Sequence, residues 1–176
     1  MKKQFFCALS LLLIISCSFC LISCTKVSED YKEVRANLRA NGYDVLVGST
    51  PTESTELLSE LLYSMVYSLN DDSDTEQGEI LLESFSEDYE DLIHEINVVV
   101  AGVSKNGEGE DLLLIVYFDD KNGLKDNYAI FEDFFEFIKS SSFDADQVLI
   151  DNADLKYGKS GKAIYLGTPQ AFKDAK

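Results

Sequence analysis

His94 is the only histidine in this chain of 176 residues, so any Ser-His-Asp chemistry would have to run through it. It stands beside an apolar strand, the ordinary setting of a packed or capping histidine. Zinc held by histidine and cysteine needs several such ligands, and the four cysteines, Cys7, Cys17, Cys20 and Cys24, all lie near the N-terminus. The 32 acidic side chains are spread too widely for one carboxylate pair to be singled out for acid/base work. The acidic segment Asp72-Ser73-Asp74-Thr75-Glu76-Gln77-Gly78 offers oxygens at alternate positions, with Glu83 at the twelfth. That spacing suits a hard cation, but an EF-hand needs glycine sixth, where Gln77 stands, so a solvated loop is expected. Gly158-Lys159-Ser160 imitates the end of a P-loop. Position 153 is alanine rather than the required glycine, and a strand rather than a helix follows, which excludes nucleotide binding. Lys156, Lys159 and Lys162 form a small basic spot, expected to be a solvated turn unless it touches a ligand. Phe131, Phe134, Phe135 and Phe137 could line a pocket, but their helical spacing assigns them to a core. No catalytic residue, cofactor or metal is implied.

The N-terminus carries the clearest signal. Lys2 and Lys3 precede an uncharged, largely apolar run of 18 residues from Phe5 to Ile22. A basic start, an apolar stretch and small residues before a cut are the parts of a secretory signal. The competing reading is an uncleaved helix, for which 18 residues is near the lower limit of a membrane span. Leu21-Ile22-Ser23-Cys24 resembles the signal of bacterial lipoproteins. That resemblance implies a diacylglyceryl thioether on Cys24, palmitate-type acyl chains and cleavage before the cysteine. It implies a domain tethered by lipid to the extracytoplasmic face of the cell membrane, or to the outer membrane in a Gram-negative organism, where Thr25 is not the aspartate of inner-membrane retention. Ile14-Ile15-Ser16-Cys17 also fits the pattern. Cys24 is preferred because polar sequence follows it at once. The chain then divides into a signal peptide over 1–23, the lipidated cysteine and tether over 24–30, and a single domain over 31–176. As a whole it resembles small uncharacterised lipoproteins of Gram-positive bacteria, including in its ending, Ala163-Ile164-Tyr165-Leu166-Gly167-Thr168 before a short helix.

Cleavage would leave 153 residues without cysteine beyond Cys24, enough for a core that needs no disulfide. Lys2 and Lys3 are the leader's only charges. The mature chain therefore keeps 13 of 15 bases against all 32 acids, a net charge of −19. Such a surface repels nucleic acid and anionic head groups and keeps a protein soluble. It also attracts cations or a basic partner.

The elements must then position whatever site exists. Ser28 reads as a helix cap, and Tyr31, Val34 and Leu38 recur at helical spacing up to Asn41-Gly42. Tyr43 to Val47 reads as a strand with Tyr43, Val45 and Val47 on one face. Thr52 or Ser54 caps a helix striped by Leu57, Leu58, Leu61, Leu62, Met65, Val66 and Leu69. A loop is expected over 70–78, and 79–94 is ambiguous between strand and helix, with 86–93 more helical. Strands 96–103 and 111–118 flank an Asn106-Gly107 turn. A long helix follows Gly123, with Leu124, Tyr128, Phe131, Phe135 and Ile138 in one stripe. Val148 to Ile150 is a short strand, 157–161 a turn and 162–167 a last strand. Thr168-Pro169 opens a terminal helix. The order βαββαβ predicts an α+β fold, an antiparallel sheet covered by helices in a ferredoxin-like arrangement, with extra helices at both ends. The strand 111–118 is apolar on both faces, so the second face must be covered too, by the N-terminal helix, by the 79–94 region or by a second copy in a homodimer.

These readings point to a lipid-anchored, non-enzymatic binding or interaction module, with the membrane and a protein or second copy as partners. The alternative is a carrier of a small ligand or cation, and a hydrolase is the third reading. A carrier requires a concave pocket with convergent polar groups, an interaction module an exposed apolar patch, and an enzyme a cleft with perturbed acids or His94.

Overall fold

The computed structural model describes residues 28–68, 72–87, 95–104, 111–141 and 155–176. The readings of the leader, Cys17, Cys24, His94, the Asn106-Gly107 turn and the 148–150 strand lie outside those residues.

The described elements run α1 (Tyr31–Ala40), β1 (Tyr43–Gly48), α2 (Pro51–Tyr67), α3 (Asp72–Glu87), β2 (Ile96–Ser104), β3 (Leu112–Phe118), α4 (Lys121–Ser140), β4 (Lys156–Ser160), β5 (Ala163–Gly167) and α5 (Pro169–Asp174). The five strands form one sheet in the order β1-β2-β3-β5-β4, with every neighbouring pair antiparallel. This is the α+β class, an antiparallel sheet covered by helices, with the expected extra helices at both ends.

Among the described residues the strand order is not the ferredoxin-like one. The 70–78 segment, expected as a loop, lies largely in α3. Among the described residues, two full helices and the helical Glu95 lie between β1 and β2. Gly48, the last residue of β1, pairs with Val99 near the start of β2, and the two strands are antiparallel neighbours. Only the second half is split: β3 and β4 flank β5 and, both being antiparallel to it, run parallel to each other.

All seven residues of β3 are buried, as its two apolar faces require. Leu114, Val116 and Phe118 belong to a core with α2, α3 and α4, where Leu58, Leu62, Leu82, Phe131, Phe134 and Phe135 pack. Leu113, Ile115 and Tyr117 face a second core built by Val34 and Leu38 of α1 and Ala171 and Phe172 of α5. The second face is thus covered from within the chain, by the N-terminal helix together with the C-terminal one. The part of 79–94 that is described goes to the other face. A bulge at Asn97 shifts the β2 register, so Ile96 and Val99 share one core while Val98 and Val100 share the other.

Local chemistry sets the ends. Asp30, not Ser28, caps α1, its carboxylate accepting from Lys32 N at 2.9 Å. Ser28 instead donates to the Glu33 carboxylate at 2.8 Å. Thr50, not Thr52 or Ser54, caps α2 ahead of Pro51. Ser54 is buried and holds α2 to the sheet, its hydroxyl 2.9 Å from the Gly48 carbonyl and 3.2 Å from that of Asn97. Thr168 caps α5 as expected. Residues 157–160, expected as a turn, form β4. The turn is Gly161-Lys162, a two-residue hairpin in which Gly161 takes φ 61°.

Candidate functional site

One end of the sheet gathers the C-termini of β1 and β3, the N-termini of β2 and β5, and the β4–β5 turn. An open cleft of about 340 Å³ lies there. Its floor is apolar and aromatic: Val98, Tyr117, Phe118 and Ala163, with Tyr31 of α1 at the side. Tyr31 and Tyr117 meet edge to face with centroids 6.5 Å apart. Its rim is polar: Glu29 before α1, Ser49 after β1, Asn97 on the bulge, and Ser160 and Lys162 at the hairpin.

Three of the rim groups are positioned by neighbours. The Glu29 side chain lies against Gly161, where a β-carbon would collide with its carboxylate. The missing side chain of Gly161 therefore serves the cleft as well as the turn. Ser49 donates from both its backbone N–H, at 3.1 Å, and its hydroxyl, at 3.0 Å, to the Glu53 carboxylate at the start of α2. Those bonds hold the Glu53 carboxyl below its ordinary range. Lys162 donates to the Asp119 carbonyl. The ammonium has three donors, so that bond leaves hydrogen-bonding capacity toward the cleft. Asp120, the cap of α4, accepts from the N–H groups of Gly123 and Asn122, which lower its carboxyl, with the Lys162 charge adding to the effect.

Tyr117 connects this end of the sheet to the chain's N-terminal segment. Its phenol donates to the Ser28 carbonyl at 3.0 Å. Burial, then the nearby Asp30 charge, raises its pKa, so it is a neutral donor at physiological pH. Ser28 is thereby held to the central strand, beside the cleft.

The structure separates the three lysines of the basic spot. Lys162 reaches the cleft. Lys159 places its ammonium 3.7 Å from the Tyr128 ring centroid, fastening β4 to α4. Tyr157 donates to Glu136 of the same helix, a bond that, ahead of burial, raises the phenol pKa to about 12. Lys156 is exposed on the edge strand. Phe131, Phe134, Phe135 and Phe137 are buried in the core rather than lining a pocket. The acidic segment takes up helix from Asp72 onward, so it has no loop to wrap a cation. Among the described residues, no cluster of three or more His, Cys, Asp or Glu side chains could hold a metal, and no helix is long and apolar enough to cross a membrane.

Sequence reasoning missed most of the cleft. Tyr31 and Tyr117 read as core positions, and Glu29 stands among the many acids that no spacing singles out. Asn97 was the available signal: a lone amide in a β-branched run marks an irregularity, and here it is the bulge on the rim. A separate exposed patch lies on the α2–α3 pair. Tyr63 and Tyr67 stack with centroids 6.2 Å apart, and Ile80 is 59% exposed. Comparison of the chain with protein-family models, curated proteins and solved structures found no match to any of them.

Proposed function

We propose that this chain is a lipid-anchored, extracytoplasmic binding module, non-enzymatic, and that its ligand enters the cleft at the β3 end. The carrying observation is the cleft itself. It is a concave site with an aromatic floor and few polar rim groups of both charge signs, the pattern of small-ligand sites. The membrane anchor rests on the Leu21-Ile22-Ser23-Cys24 signal. Native mass spectrometry of the detergent-extracted protein tests the reading. A small molecule retained by the native chain and lost on Tyr117→Ala or Glu29→Ala is the expected result. A chain that is always empty, or equally loaded in both variants, would count against the cleft.

A second reading is an interaction module using the Tyr63-Tyr67 stack with Ile80. Exposed tyrosines are common anchors of protein interfaces. Glu79, which accepts from the Tyr67 hydroxyl at 3.3 Å, places negative charge beside the stack. Cross-linking from that face in intact cells would identify a partner, and Tyr67→Ala should abolish its capture. Capture unchanged by Tyr67→Ala would remove this reading.

A further inference from the structure

The cleft holds two opposite charges on one rim. Glu29 lies against Gly161, and Lys162 is the next residue of the same hairpin tip. The Tyr117 ring is part of the floor, and the Tyr31 ring stands at the side. An aromatic face attracts an ammonium group, more strongly once that group is desolvated. Tyr31 already draws such a partner from its own helix: the Lys32 ammonium stands 5.9 Å from its centroid. The surrounding field is strongly negative, with a net charge of −17 for the whole chain. A plain anion would be repelled on approach, and a plain cation would be set beside the Lys162 ammonium. A molecule carrying both charges satisfies both rim groups.

We propose that the cleft binds a small zwitterion, its ammonium held by the Glu29 carboxylate and the Tyr31 and Tyr117 rings, its anionic group by Lys162 and the Ser160 hydroxyl. This deepens the binding-module reading and rests on the cleft being the site. Two sources present that chemistry. One is a zwitterionic lipid head group. If Cys24 carries the anchor, Glu29 is the fifth residue after it, and five residues span at most about 18 Å. Tyr117 pins the end of that tether through Ser28. The cleft would then stand close to the head groups. The other source is a free solute such as an amino acid or a betaine.

The test is calorimetric titration of the full-length protein in detergent micelles with glycerophosphoethanolamine and glycine betaine, and with the single-charge fragments ethanolamine and dimethyl phosphate. At least one zwitterion should bind about tenfold more tightly than either fragment. Glu29→Gln and Lys162→Met should each weaken that zwitterion at least fivefold, with circular dichroism unchanged. Lys156→Gln, on the same hairpin but outside the cleft, should leave binding as it was. Displacement of the bound zwitterion by phosphatidylethanolamine vesicles would assign the lipid source, and absence of displacement the free solute. The Cys24→Ser protein should bind equally well in micelles, which separates failure of the anchor reading from failure of this one. No binding of either zwitterion, equal affinity for a fragment, or binding indifferent to both rim variants would overturn the proposal.

Discussion

Gly161 carries two requirements at one position. Its φ of 61° is the left-handed conformation that a side chain disfavours, and a β-carbon there would meet the Glu29 carboxylate. Gly161→Ala should therefore destabilise the fold by about 1–2 kcal/mol, read as a lower urea midpoint at unchanged slope. The titratable groups add a pH dependence of known sign. The phenols of Tyr43 and Tyr117 are raised above the ordinary tyrosine value, chiefly by burial, with the hydrogen bond to Asp174 adding for Tyr43 and the Asp30 charge for Tyr117. A raised folded value means their contribution is complete below the unfolded value and is lost as pH rises. The denaturation midpoint should fall above about pH 10, and Tyr117→Phe should flatten that fall. Asp120 is shifted the other way. Its lowered carboxyl contributes above the unfolded value and is lost as pH falls through the folded one. Asp120→Ala should make acid unfolding less steep in a pH series of denaturant melts.

At the scale of elements, the two-sided β3 strand is the main structural commitment. Leu114 faces the core under α2, α3 and α4, and Ile115 the core under α1 and α5, and both are fully buried. Leu114→Ala and Ile115→Ala should each cost about 2–5 kcal/mol in equilibrium unfolding. An inexpensive Ile115→Ala would mean that the α1–α5 layer is loosely packed. This two-sidedness was legible in the sequence, because Leu112 to Phe118 has no polar position to expose. The α4 stripe was legible from the helical spacing of Leu124, Tyr128, Phe131, Phe135 and Ile138. The α3 helix was not. Its start is polar and acidic, and Gly78 reads as a stop. In the fold, Gly78 is the place where α3 comes close to α2, since a β-carbon there would lie 2.7 Å from a Val66 methyl carbon. A glycine chosen for close approach looks, in sequence, like a breaker. The topology departs from expectation at the same place, since β2 enters beside the end of β1 and runs antiparallel to it.

At the scale of the molecule, the candidate site was the least legible part. The cleft joins residues 29, 49, 97, 117 and 160–163, which only the strand order brings together. No local spacing announces such a set, and its members individually look like caps, turns and core. The lysines at 156, 159 and 162 looked equivalent in sequence, yet Lys159 fastens β4 to α4 and Lys162 alone reaches the cleft. The whole-molecule proposal joins the cleft to the lipid anchor through Ser28 and its bond from Tyr117. Cys24→Ser should abolish incorporation of labelled acyl chains without changing the unfolding midpoint, because the described fold begins after that residue. The most direct measurement is intact-mass and peptide mass spectrometry of the protein extracted from native membranes. An N-terminus beginning at Cys24 with diacylglyceryl mass on its sulfur is the expected result. An unmodified Cys24 in a chain that retains residues 1–23, or lipid on Cys17 instead, would contradict it.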